Sequence, residues 1–196
     1  MGAIRQGAQM RKLWLSIGAL LALVPTGLRA ELPVGAKAPA FSTQGALAGK
    51  SYAFNLQTAL RKGPVVLYFY PKAFTQGCTL ETKAFADAHD QFAAAGATVV
   101  GLSADDLPTL QRFSTEACRN KFAVAVATPA IVKAYDVAMK VDKLPAQARA
   151  KMAPGLTDRT SYVIAPSGKI TYVHSDLDYR EHVSRTLAAV QALKRK

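Results

Sequence analysis

Cysteine is scarce in this chain. There are two in 196 residues, Cys78 and Cys118, and they form no Cys-x-x-Cys pair. That excludes a small scaffold held together by disulfides, and it leaves no soft metal centre built on paired thiolates. Histidine is scarce too, with three residues at no metal-ligand spacing, so no metal site and no other cofactor is expected. Acidic residues number 13 against 25 basic ones, a net charge of +12. Repeats and low-complexity tracts are absent. Half of the residues are hydrophobic and 19% are charged, a globular composition of a size that fills one domain.

Long apolar runs are also few. The one at Leu13–Val24 follows Arg5, Arg11 and Lys12 and precedes Pro25, Gly27 and Ala30. A dozen residues fall short of the roughly 20 that span a bilayer. The pattern reads as an export signal over residues 1–30, with Met10 as an alternative start and cleavage expected after Ala30. Residues 31–196 then form the mature domain, with a periplasmic location expected and membrane contact only through the signal. Residues 1–30 hold four basic and no acidic residues, so the mature net charge falls to +8. A small basic cluster at Lys194, Arg195 and Lys196 closes the last helix and complements its dipole. No nucleic-acid motif is present.

Cys78 has the most informative surroundings. Pro64–Tyr70 (Pro-Val-Val-Leu-Tyr-Phe-Tyr) is the continuous apolar and aromatic run of a strand buried on both faces. Phe85, His89 and Phe92 recur downstream at helical spacing. Between them Pro71, Thr75 and Gly77 build a turn that places Cys78 in the first turn of a helix, where free backbone NH groups and the positive end of the dipole favour an anion. Thr75 and Thr79 bracket the sulfur with hydroxyls. A reactive thiolate is the expected reading, against the alternative of an inert core cysteine.

The rest of the chain supplies an α/β frame. Short strands near Ala40–Thr43 and Tyr52–Asn55 form an N-terminal hairpin. Ala97–Ser103 is a second buried strand, entered through Gly96, and strand, helix, strand implies a right-handed parallel crossover. Asp105 or Asp106 caps a helix with Pro108 in its first turn, running through Leu110 and Phe113 toward Cys118. Phe122–Ala127 is a short strand and Pro129–Tyr135 a short helix. Lys140–Asp158 is a long connection without clear periodicity. Ser161–Ile164 and Ile170–Val173 flank a turn, and a helix from Tyr179 to Leu193 ends the chain. The fold expected is a thioredoxin-like sandwich: a central mixed sheet flanked by helices, with the reactive turn at the carboxyl end of a central strand.

Pro71, Thr75 and Cys78 reproduce the spacing of the peroxiredoxins, and Gly77-Cys78-Thr79 with Glu81 resembles their Q type, the bacterioferritin-comigratory proteins. The resemblance extends from Ala38-Pro39-Ala40-Phe41 to Arg159 and Ser161–Ile164, and it covers most of residues 32–175. It implies a thiol peroxidase, reducing hydrogen peroxide and organic hydroperoxides. Cys78 would attack the peroxide and become a sulfenic acid; Arg159 would stabilise the thiolate and polarise the peroxide. Thr75 would orient both, the backbone NH groups of Gly77 and Cys78 would receive developing charge, and Pro71 would shape the pocket. Where many Q-type members carry a second cysteine this chain has Lys83, so Cys118, set beside Ser114 on one helix face, is the expected resolving cysteine, with an inert buried thiol as the alternative. A thioredoxin-like or small-thiol reductant would close the cycle, and the protein would be a monomer or a homodimer. Glu81 is expected to cap its helix or pair within it, and His89 to pack beside Phe85 and Phe92. The other readings open at this point are a one-cysteine peroxidase served by an external thiol and a non-enzymatic peroxide sensor or holdase.

Overall fold

The computed structural model describes residues 2, 31–141, 146–149 and 155–194. The export signal, its start and its cleavage site therefore lie outside the described residues, as do Arg195 and Lys196. Among the described residues no helix is long and apolar enough to cross a membrane.

Among the described residues seven strands form one mixed sheet. They are β1 (Ser42–Leu47), β2 (Lys50–Asn55), β3 (Val65–Phe69), β4 (Thr98–Ser103), β5 (Ala123–Val126), β6 (Thr160–Ile164) and β7 (Ile170–Ser175), in the order β2-β1-β5-β4-β3-β6-β7. β3, β4 and β5 run parallel to one another; β6 and β7 add antiparallel on one side and the β1–β2 hairpin on the other. The expected hairpin, crossover and mixed sheet are all present. The first hairpin strand begins later than its sequence pattern indicated and runs on to Leu47, because the turn falls at Ala48-Gly49, both at positive φ.

The helices are α1 (Leu56–Leu60), α2 (Gln76–Asp87), α3 (His89–Ala94), α4 (Leu107–Glu116), α5 (Pro129–Ala134), α6 (Ala146–Arg149) and α7 (His182–Lys194). Three of them begin on side-chain caps: Asn55 accepts from the Thr58 amide, Asp106 from Thr109 and Thr128 from Ile131. α6 interrupts the long connection, which is also tied back by pairing of Ala138 with Thr157.

Strand β3 divides the core. Every residue from Val65 to Tyr70 is buried, and the side chains alternate between two clusters. Val65, Leu67 and Phe69 pack with Leu56, Tyr135 and Tyr162 on one face. Val66, Tyr68 and Tyr70 face Phe85, Phe92, Phe113 and both cysteines on the other. The Tyr68 ring lies over Gly101 of β4, where an added Cβ would sit 2.6 Å from its hydroxyl. Tyr68 also stacks on Phe85 of α2 at 4.3 Å between centroids. This second face carries the site.

Two expectations about helix length are corrected. Phe85, His89 and Phe92 do not share one helix: α2 ends at Asp87 and α3 starts at His89. His89 is half-buried at the start of α3, with its Nδ1 2.9 Å from Asp90 Oδ1. Nor does α4 reach Cys118. It stops at Glu116, and Arg119 and Asn120 both turn to positive φ. Ser114 is on the helix, whereas Cys118 lies beyond its cap, donating its amide to the Phe113 carbonyl at 3.2 Å.

Candidate active site

The turn Pro71–Thr75 leaves β3 at its carboxyl end and delivers Cys78 as the third residue of α2. Within the helix the first amide to find an i−4 carbonyl is that of Thr79, bonded to Thr75 at 2.9 Å. The amides of Gln76, Gly77 and Cys78 precede it, so the NH groups assigned to charge stabilisation are those without intrahelical acceptors. Cys78, Glu81, Thr82, Phe85 and Ala86 are the buried residues of α2, a stripe at the i, i+3, i+4, i+7 spacing of one helix face. Burial thus carries both the thiol and a carboxylate into the core.

Arg159, immediately before β6, meets them there. Its Nη2 donates to Cys78 Sγ at 3.5 Å, its Nη1 pairs with Glu81 Oε2, and its Nε donates to the Leu177 carbonyl at 2.9 Å. Burial opposes the guanidinium charge, but Glu81 and Cys78 outweigh it and raise the Arg159 pKa. The guanidinium lies close against the Gly77 backbone: a Cβ there would touch it, 3.4 Å from Nη2. The sequence-predicted pair Cys78 and Arg159 is therefore brought together.

Glu81 does not cap or pair within α2, as its sequence position indicated. It is fully buried and reaches across to Arg159. Burial pushes its carboxyl up to about 7, against the lowering effect of Arg159. Its other oxygen, Oε1, has no hydrogen-bond partner among the described residues and faces His182 Nδ1 at 3.7 Å. His182 bonds Ser161 Oγ through Nδ1 at 2.8 Å and the Asp176 carbonyl through Nε2 at 2.9 Å. A carbonyl can only accept, so Nε2 carries the proton and Nδ1 takes the Ser161 hydroxyl proton. Burial lowers the His182 pKa to about 4, so it is neutral at pH 7.

The turn itself is anchored from below. Asp106 is the helix cap that sequence left open between two aspartates. Asp105 instead ties down the turn, its Oδ2 accepting from the Ala73 amide at 2.7 Å and from Ser103 Oγ at 2.8 Å. Thr157 Oγ1 donates to the Tyr70 carbonyl at 2.7 Å just before Pro71, which is itself half-buried. Thr75 donates its hydroxyl to the Lys72 carbonyl at 2.9 Å, so toward the site it offers lone pairs alone. Phe74, at φ +63, is held edge-on against Phe113 and under the Arg112 guanidinium. Cys118 is buried in the same core cluster as Cys78, and both thiols are free. Burial drives the Cys118 thiol well above its ordinary value. Lys83 is half-buried on the second turn of α2.

Sequence reasoning missed the roles of Glu81, His182, Asp105 and Thr157. Only Glu81 carried a usable signal, since an acidic residue three positions after a core cysteine on a helix must share its buried face.

Residues 34–173 match the AhpC/TSA family. Peroxiredoxin Q from Triticum aestivum is 33% identical over 134 residues, covering 66% of this chain and 55% of the wheat protein. The Sedum lineare protein of the same name is 34% identical over 135 residues, covering 67% and 65%. The chain thus spans little more than half of the wheat protein's length. Among solved structures, peroxidoxin BcpB from Mycobacterium tuberculosis superposes with a TM-score of 0.68 at 28% identity, over 82% of this chain and 97% of that one. A bacterioferritin comigratory protein of Xanthomonas campestris, described by its alkyl peroxide reduction activity, gives 0.64 at 25% identity over 77% and 91%. The thioredoxin-like sheet, the cysteine at the head of α2 with its arginine, and these matches lead to one assignment: the chain belongs to the AhpC/TSA family, among its peroxiredoxin Q-like members.

Proposed function

We propose that this protein is a thiol-dependent peroxidase acting on hydrogen peroxide and organic hydroperoxides through Cys78. The observation that carries the reading is the contact of Arg159 Nη2 with Cys78 Sγ at the open start of α2. There a fixed positive charge and free amides face a sulfur taken out of bulk water. The thiolate attacks one peroxide oxygen, the S–O bond forms as the O–O bond breaks, and the leaving oxygen departs as water or an alcohol after taking a proton. Arg159 and the Gly77 and Cys78 amides are placed to receive the negative charge that grows on the oxygens. Thr75, with its own proton spent on Lys72, accepts the hydroperoxide O–H and so orients the substrate. Pro71 closes the wall beside the strand end. The alkyl peroxide reduction of the Xanthomonas campestris relative supports including organic hydroperoxides.

The sulfenic acid on Cys78 then meets Cys118, giving a disulfide and water, and a thioredoxin-like or small-thiol reductant reopens it. Their shared core cluster supports this pairing. Both thiols are buried, so the first turn of α2 unwinds to let the sulfurs meet. We also read residues 1–30 as an export signal to the periplasm, supported by their basic, apolar and small-residue order. Cys78→Ser is expected to abolish peroxide consumption with an added thiol reductant; a variant that kept most of its rate would refute the assignment. Intact mass after one equivalent of peroxide tests resolution: loss of two hydrogens supports the Cys78–Cys118 bridge, and a lasting oxygen adduct favours an external thiol.

A further inference from the structure

The peroxidase reading uses the Arg159 guanidinium but not the groups that aim it. One of its contacts is the reacting sulfur and another is the Glu81 carboxylate; the third, from Nε, is the Leu177 carbonyl at 2.9 Å. Leu177 belongs to no strand or helix. β7 ends at Ser175, and Asp176, Leu177 and Asp178 cross to the 3₁₀ turn at Tyr179–Glu181 with their side chains exposed. A carbonyl on such a segment keeps its direction only where the main chain is tied from the inside.

His182 supplies that tie. It opens α7 with its side chain fully buried, and its Nε2 donates to the Asp176 carbonyl at 2.9 Å, one residue before the carbonyl that Arg159 uses. The Asp176 amide in turn donates to the Arg159 carbonyl at 3.2 Å, so the segment is joined to the arginine main chain as well. The ring is itself fixed: Ser161 Oγ lies 2.8 Å from Nδ1, and the His174 ring of β7 lies 4.5 Å away between centroids. With its proton on Nε2, the imidazole turns a lone pair toward Glu81 Oε1 at 3.7 Å, so it does not compete with Arg159 for the carboxylate. We propose that His182 is a positioning residue for the peroxide step: it holds the Asp176–Leu177 main chain, and through the Leu177 carbonyl it fixes the direction in which Arg159 meets Cys78 and the peroxide. This rests on the reading of the chain as a peroxidase acting through Cys78. His182 exchanges no proton in the step, and its effect passes through Arg159.

His182→Leu removes the donor, whereas His182→Gln returns an amide N–H to the place of Nε2. The second-order rate constant of the reduced full chain with hydrogen peroxide is measured by competition with a reporter peroxidase. His182→Leu is expected to be about tenfold slower, the effect of a guanidinium left slightly off its aim, and His182→Gln to recover most of that loss. In an Arg159→Lys background His182→Leu is expected to add little, because two residues acting through one contact are not additive. Alkylation of Cys78 by iodoacetamide, read by peptide mass on its high-pH plateau, is expected to be unchanged in His182→Leu, which separates lost aim from a damaged site. Ring-nitrogen NMR of the wild-type chain at neutral pH is expected to show His182 uncharged with its proton on Nε2. A wild-type rate in His182→Leu overturns the proposal, and so does a His182→Gln as slow as His182→Leu. An additive loss beside Arg159→Lys, slowed alkylation, or a wild-type ring protonated on Nδ1 overturns it equally. If His182→Leu does not fold, His182→Asn, whose amide reaches only the place of Nδ1, takes its part with the same expectations. If the wild-type protein consumes no peroxide, the peroxidase reading fails first and this inference falls with it; if it does and His182→Leu is silent, only this inference fails.

Discussion

Replacing Glu81 by glutamine tests the electrostatics behind Cys78 through stability. Glu81 is fully buried, and burial raises its carboxyl from an ordinary value near 4.5 to about 7 even with Arg159 alongside. Between those two values the folded protein holds a proton that the unfolded chain has released. The associated stability is complete below about pH 4.5 and is lost as pH rises through 7. A shift of that size corresponds to about 3 kcal/mol. His182 works in the opposite sense. Burial depresses it from 6.5 to about 4, so its stability is present above about 6.5 and is lost as pH falls through 4. The two contributions nearly cancel between about pH 4.5 and 6.5, and the wild-type profile hides both. Glutamine imitates the protonated carboxyl and removes the Glu81 limb. Urea unfolding at a series of pH values is expected to show Glu81→Gln equal to wild type near pH 4.5 and about 3 kcal/mol more stable at about pH 8, with a rise from about pH 4 to 6.5 left by His182. This is the behaviour of a buried ion pair whose desolvation exceeds its attraction. A variant less stable than wild type at about pH 8 would refute the reasoning, since the Glu81–Arg159 attraction would then outweigh the burial penalty.

Arg159→Lys keeps a positive charge but cannot hold Cys78, Glu81 and the Leu177 carbonyl together through a planar fork. The second-order rate constant with hydrogen peroxide is expected to fall about a hundredfold, as when one preorganised donor is lost, and a rate near wild type would remove Arg159 from the chemistry. Gly101→Ala places a methyl 2.6 Å from the Tyr68 hydroxyl and ring. A loss of about 2 kcal/mol in urea unfolding is expected, because Tyr68 is wedged between β4 and Phe85 and cannot retreat. An unchanged midpoint would mean that this face of the sheet is loosely packed.

What the sequence made legible is what neighbouring residues decide. The run from Val65 to Tyr70 is apolar and aromatic at every position, so it reads as a strand covered on both faces, and Pro71, Thr75 and Gly77 after it mark a turn that opens the helix of Phe85. Cys78 was legible for the same reason. Arg159 was identified only by resemblance, since nothing local to it indicates a partner 81 positions away. The ends of α2 and α4 were misread because the apolar spacing continues through Ala88 and Ala117, and spacing does not register where the backbone turns. Glu81 is the instructive failure. Its spacing from Cys78 and Phe85 already placed it on the buried stripe, and a carboxylate in a core requires either a cation or a proton. The structure supplies Arg159 for one oxygen, while the other faces a neutral histidine at 3.7 Å. That half-met demand is why the carboxyl titrates near neutrality, and why the charge beside the reactive sulfur depends on a residue that an i, i+4 pairing rule assigns to the helix surface.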